Sequence, residues 1–141
     1  MSQVSPRFDS KIAIVIHSDL PAWQKLNVAA FLASGIAAAF PSCIGEAYQD
    51  AFGTHYHALI GQPILIYAAD RSALARALER AIARGVKAAV YPEEMFTTTH
   101  DAANRAVVKA APRPELKLVG LAFRADRKVI DKVVDGLKFH D

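Results

Sequence analysis

The segment "TTTHDAANR", Thr97 to Arg105, gathers hydroxyls, an imidazole, a carboxylate, an amide and a guanidinium in one short stretch. Read as a helix start, it offers unpaired N–H groups and the positive end of the dipole to an anion. His100 and Asn104 share one helix face, and Asp101 and Arg105 share the next. Thr98, Thr99 and Arg105 are therefore candidates for holding a substrate. His100, oriented by Asp101, could activate water for hydrolysis. The structural alternative is a threonine cap followed by an i to i+4 ion pair.

A second constellation lies in "HSDLPAWQK", where His17, Asp19 and Lys25 cluster near the carboxyl end of an apolar run. Ligands of α/β sheets tend to bind there. Lys25 could attract a phosphate or stabilise an oxyanion there, with His17 and Asp19 beside it. The alternative makes Asp19 a helix cap, His17 a strand end and Lys25 a solvated side chain. The corner has no glycine, which speaks against a dinucleotide fingerprint. Neither a phosphate-binding loop nor a nucleophile elbow occurs elsewhere.

Two further patterns are weaker. "GTHYH" sets His55 and His57 on one side of an extended segment, and with His100 they could begin a metal site. An accidental pair on an exposed strand is the simpler reading, and no metal or other cofactor is expected. Arg76, Arg80 and Arg84 form a basic row suited to phosphate, yet without interleaved aromatics it reads as a solvated helix face.

The elements that must position these groups are set by periodicity. "KIAIVIH", Lys11 to His17, predicts a strand covered on both faces, and an alanine-rich helix then runs to about Phe40, before Pro41. Cys43 to Gln62 has no clean period and reads as a turn or short helix followed by an irregular extended segment. "PILIYAA", Pro63 to Ala69, predicts a second strand, and "DRSALARALERAIARG" an amphipathic helix closed by Gly85. A third strand over Val86 to Tyr91, a helix after the threonines, a fourth strand over Glu115 to Phe123 and a last helix over Arg127 to Val134 complete the order. The expectation is a three-layer α/β/α sandwich with right-handed crossovers.

The 141 residues suit one domain over residues 11–141, after a flexible lead-in over residues 1–10. With 52% hydrophobic and 22% charged residues the chain is ordinary and globular. A net charge of +3 permits an anionic partner without demanding one. Leu26 to Gly45 carries no charge, but Asn27, two serines and Pro41 interrupt it, so burial is expected and no membrane partner. The lone Cys43 excludes an internal disulfide and fits a reducing cytoplasm.

"KIAIVIHSDL" opening into the alanine-rich helix, and "LKLVGLAFRADRKVIDKVVDGLKF" closing the chain, resemble the type II peptidyl-tRNA hydrolase fold over most of Lys11 to Phe139. "LNVAAFLASG", "DAFGTHYHALIGQPI" and "TTTHDAANR" look like an uncharacterised bacterial family related to it. The resemblance implies a four-stranded mixed sheet between helices, often assembled as a homodimer. Lys25 matches one lysine of the hydrolases, while Asn27 and Phe31 stand where a second lysine and a glutamine would fall. "PEEMFTTTH" replaces their Asp-Ala-Gly stretch. The expected site is a remodelled one, built from Lys25, Asn27, His100 and Asp101, acting on an anionic or ester substrate that is a small molecule or related to tRNA. His57 joins the substrate-binding set. A domain that only binds a small molecule or protein is the alternative.

Overall fold

Strand β1 (Ser10–His17) alternates its side chains between two hydrophobic layers, which is why its sequence is apolar throughout. Ile12, Ile14 and Ile16 face one layer; Ala13 and Val15 face the other. The computed structural model describes residues 8–141, so the expected lead-in falls largely on residues outside the described ones. Phe8 and Asp9 are tied down, because the backbone N–H of Arg127 donates to Asp9 O at 2.8 Å and its Nε to Phe8 O at 3.2 Å.

Helix α1 (Ala22–Ala39) covers the isoleucine side with Val28, Leu32 and Ile36, a stripe at spacing four. Its first residues carry no side-chain cap: Pro21 sits at the N-cap position, and Asp19 is not the cap that the sequence suggests. The chain next makes a short turn, Pro41–Cys43, and then a projecting ribbon of β2 (Tyr48–Gln49) and β3 (His55–Tyr56). The irregular segment expected over Cys43 to Gln62 is thus a hairpin.

β4 (Ile64–Ala69) pairs in parallel with β1, from Ile12 opposite Ile64 to His17 opposite Ala69. α2 (Arg71–Ala83) follows, with Asp70 accepting a hydrogen bond from Ala73 N at 2.8 Å as its cap. The carboxyl of Asp70 is held below the ordinary carboxylate range by that bond and then by the Ser72 hydroxyl. β5 (Ala89–Pro92) is shorter than the run from Val86 suggests and leads into a turn, Glu93–Phe96. α3 (Asp101–Lys109) is capped by His100, not by a threonine.

β6 (Leu118–Asp126) starts three residues later than the alternation from Glu115 implies, because Arg113–Glu115 forms a short turn begun by Pro112 and Pro114. α4 (Arg127–Val133) is capped by Asp126, and α2 and α4 together cover the Ala13 and Val15 side. β7 (Lys138–Phe139) then adds to β4. The mixed sheet is ordered β5-β6-β1-β4-β7, so it has five strands and not four. The fifth holds two residues, too few to show an alternation. Among the described residues four α-helices accompany the sheet, with α1 on one face and α2 and α4 on the other.

Gly120 explains how closely α1 approaches. A Cβ added there would overlap Val28 Cγ1 and come within 2.9 Å of Leu32 Cδ1. Among the described residues no helix is long and apolar enough to cross a membrane. The uncharged stretch from Leu26 instead divides between α1 and the turn at Pro41.

Candidate functional site

α3 carries no buried residue and faces α1 across an open groove of about 970 Å³, floored by the edge strand β5. α1 contributes Trp23, Asn27, Phe31 and Gly35, at spacing four and therefore on one helix face beside its buried stripe. The aromatic rings form a connected wall. Trp23 meets Phe96 edge-on at 6.1 Å, Phe96 meets Tyr91 at 5.1 Å, and Tyr91 meets Phe31 at 6.2 Å between centroids. Burial raises the Tyr91 phenol above its ordinary pKa, so it stays neutral at neutral pH.

The opposite wall is polar and comes from the "TTTHDAANR" segment. Thr98, Thr99, His100, Asp101, Asn104 and Arg105 all line the groove, and Lys109 lies at its rim. The helix start explains their arrangement. The Nδ1 atom of His100 accepts a hydrogen bond from Ala103 N at 3.1 Å, which makes Nε2 the protonated nitrogen of the neutral ring. Thr98 Oγ1 lies 3.0 Å from Met95 O and also contacts Asn104 Oδ1, so the amide of Asn104 has its NH2 end left as donor. Arg105 pairs with Asp101 along the helix. The groove thus sets an aromatic surface against neutral hydrogen-bonding groups, the Arg105–Asp101 ion pair and Lys109.

Two parts of the expected machinery are arranged differently. His100 and Asp101 do not form an oriented pair: the imidazole Nδ1 is an acceptor in the cap, and the Asp101 carboxylate is held by Arg105. Lys25 and Asn27 do not share a site, because two residues along a helix are about 200° apart. Asn27 lines the groove, whereas Lys25 lines a second hollow of about 540 Å³ beyond the carboxyl ends of β1 and β4. There Lys25 Nζ donates to His140 Nε2 at 3.0 Å, leaving Nδ1–H to donate to Asp141 O at 2.9 Å. Ser18, Asp70, Arg76 and Lys138 complete that hollow.

The remaining candidates stand apart from both. His17 Nδ1 accepts from Asp19 N at 3.1 Å, so the two residues build the turn after β1. His57 lies exposed on the hairpin with His55. Among the described residues no three His, Cys, Asp or Glu side chains gather into a metal-binding group, so His55, His57 and His100 are not brought together. In the arginine row, Arg80 donates to Asp135 O at 2.8 Å, Arg84 to Arg80 O at 3.1 Å and Arg76 to Ser72 Oγ at 3.4 Å. Those bonds are of the kind a solvated helix face makes.

Sequence reasoning missed the aromatic wall. Its signal was present as Trp23, Asn27, Phe31 and Gly35 at intervals of four, but α1 is apolar on most sides and the buried stripe masks a second face. Tyr91 and Phe96 flank a strand end and a short turn, where no periodicity marks them.

No curated protein matches the chain. Eight chains of solved structures do. One is a protein of unknown function, Atu0240, from Agrobacterium tumefaciens strain C58, 47% identical with a TM-score of 0.93, covering 96% of this chain and 100% of its own. Residues 10–141 match the model of the family described as "Protein of unknown function (DUF2000)". The chain belongs to the DUF2000 family.

Proposed function

We propose that the groove between α1 and α3 binds a small ligand with a flat apolar body and an anionic, carbonyl-bearing head. One observation carries this reading: the connected rings of Trp23, Phe96, Tyr91 and Phe31 face a row of donors on α3. Ligand sites are typically apolar clefts with a few placed polar groups that fix orientation. Covering an aromatic body gains roughly 3–5 kcal/mol of gross hydrophobic stabilisation. The head then selects its position on the His100 Nε2–H, the Asn104 amide and the cationic rim of Arg105 and Lys109. Asn27, across the groove on α1, supplies an amide to the carbonyl.

This reading treats the fold as one of peptidyl-tRNA-hydrolase-like ancestry whose groove has been remodelled, with Phe31 and Asn27 contributing bulk and an amide. It places the protein in a reducing cytoplasm, for which the single, buried Cys43 is the support. Hydrolysis of an ester in the same groove is the second reading. It is favoured by His100, Thr99 and Asn27 lining one cavity, and it requires His100 to exchange the capping tautomer for one with Nε2 as base.

Titration with 3-phenylpropanoate and its neutral amide, followed through backbone amide shifts, tests the binding reading. Saturable shifts confined to α1, β5 and α3, stronger for the carboxylate, are expected. Shifts elsewhere, or none, would sink the proposal. Phenylpropanoate esters incubated at high protein concentration test the second reading, which requires turnover that His100→Ala abolishes.

A further inference from the structure

We infer that the hairpin between Ile44 and Gly61 closes the groove of a second copy of this chain, laying Phe52 on its aromatic wall; the inference rests on the groove being a ligand site, and it supplies that site's missing cover. The hairpin is built as an ordered element. At its root a Cβ on Gly61 would stand 3.1 Å from Gly45 Cα, so the two segments lie in close backbone contact that a side chain would push apart by a few tenths of an ångström. Gly45 N donates to Leu59 O and Gly61 N to Cys43 O, each at 2.8 Å. At its tip Asp50 accepts from Phe52 N, Thr54 N and the Tyr56 hydroxyl at 2.9, 3.0 and 2.7 Å.

The ordered ribbon nevertheless covers nothing on its own body. Every residue from Ile44 to His57 is exposed, Phe52 by 98%, with Tyr48 and Tyr56 each more than half exposed. A two-stranded ribbon alone is marginal in water, and clustered exposed aromatics mark a contact surface.

Charge and closure select a second copy as the occupant. Ile44 to Gly61 holds Glu46 and Asp50 and no lysine or arginine, whereas the groove sets Arg105 and Lys109 against the single Asp101. The hairpin leaves from the carboxyl end of α1, and the groove runs along most of that same helix, from Trp23 near its start to Gly35. Two α1 helices laid antiparallel about a two-fold axis bring each hairpin to the Trp23 end of the other's groove. Both contacts then form at once, as a closed symmetric pair requires. The outward face of α1 suits that approach, since the exposed Leu26 is followed at spacing four by the small exposed residues Ala30 and Ser34.

The test measures mass by sedimentation for the wild-type chain and Phe52→Ala, a change that leaves the monomer's core untouched. Wild type is expected at twice 15.3 kDa, with association weakened at least roughly tenfold by the substitution. Mixing Phe52→Cys with Trp23→Cys under oxidising conditions is expected to give a cross-linked mixed pair, and neither variant alone should do so as readily. A monomeric wild type, a dimer indifferent to Phe52→Ala, or a mixture that does not cross-link overturns the inference. Capture of another protein on Phe52 by a monomeric wild type overturns it too. Binding of 3-phenylpropanoate by a monomeric wild type removes the second copy but keeps the ligand reading. An arm-dependent dimer that ignores 3-phenylpropanoate removes the ligand reading and keeps the dimer.

Discussion

His100 accepts the backbone N–H of Ala103 through Nδ1 at 3.1 Å, so one side chain both starts α3 and lines the groove, with Nε2 left as its protonated nitrogen. The two roles separate by substitution. His100→Ala is expected to cost about 0.5–2 kcal/mol of stability, as cap removal does, and to weaken 3-phenylpropanoate binding. His100→Asn restores an acceptor suited to the cap. Denaturant unfolding should then recover while the affinity for 3-phenylpropanoate stays low; recovery of both would remove Nε2 from the site.

Gly120 underlies the approach of α1 to the sheet. Gly120→Ala is expected to destabilise the fold by about 1–3 kcal/mol, since the new methyl overlaps Val28 and crowds Leu32. Val28→Ala in the same chain should return part of that loss. Denaturant midpoints of the single and double variants decide it, and a neutral Gly120→Ala would mean that α1 is free to shift.

Gly35 behaves in the opposite way although it also faces another element. A Cβ there would meet Ala89 Cβ at 3.5 Å, an ordinary contact, inside a helix where glycine is unfavourable. Gly35→Ala is expected to stabilise by about 0.5–1 kcal/mol. Bulkier residues at this position should block the groove, measured as lost binding of 3-phenylpropanoate with folding intact.

The difference between these elements shows what the chain makes legible. β1 carries a continuous apolar run, and α2 and α4 carry period together with the capping Asp70 and Asp126; all three lie within a residue or two of where the sequence puts them. The ribbon and β7 consist of two-residue strands, too short to show an alternation, and β7 pairs with the distant β4, so local pattern says little of them. Within the site, helix-start chemistry pointed to Thr98, Thr99, His100, Asp101 and Arg105 as neighbours. The resemblance to the hydrolases groups Lys25 with Asn27, and about 200° of helix rotation separates them.

The hairpin tip should respond to acid. The Tyr56 hydroxyl first, and then the Thr54 N–H, hold the Asp50 carboxyl below its ordinary value of 3.8. A depressed pKa adds order that is fully present above the unfolded value and is lost as pH falls through the folded one. Faster amide exchange at Phe52 and Thr54, beginning below about pH 4, is expected, with Tyr56→Phe moving the onset upward. An onset unchanged in Tyr56→Phe would mean that the tyrosine does not hold Asp50.

Trp23 is the chain's single tryptophan, and it lines the groove. Its emission, titrated with 3-phenylpropanoate in the wild type, Phe31→Ala and Asn27→Ala, therefore reports on the groove alone. A saturable change in the wild type, with the midpoint raised about tenfold or more in each variant, is the expected result. Emission that ignores the ligand, or responds alike in all three proteins, would contradict a ligand site between α1 and α3.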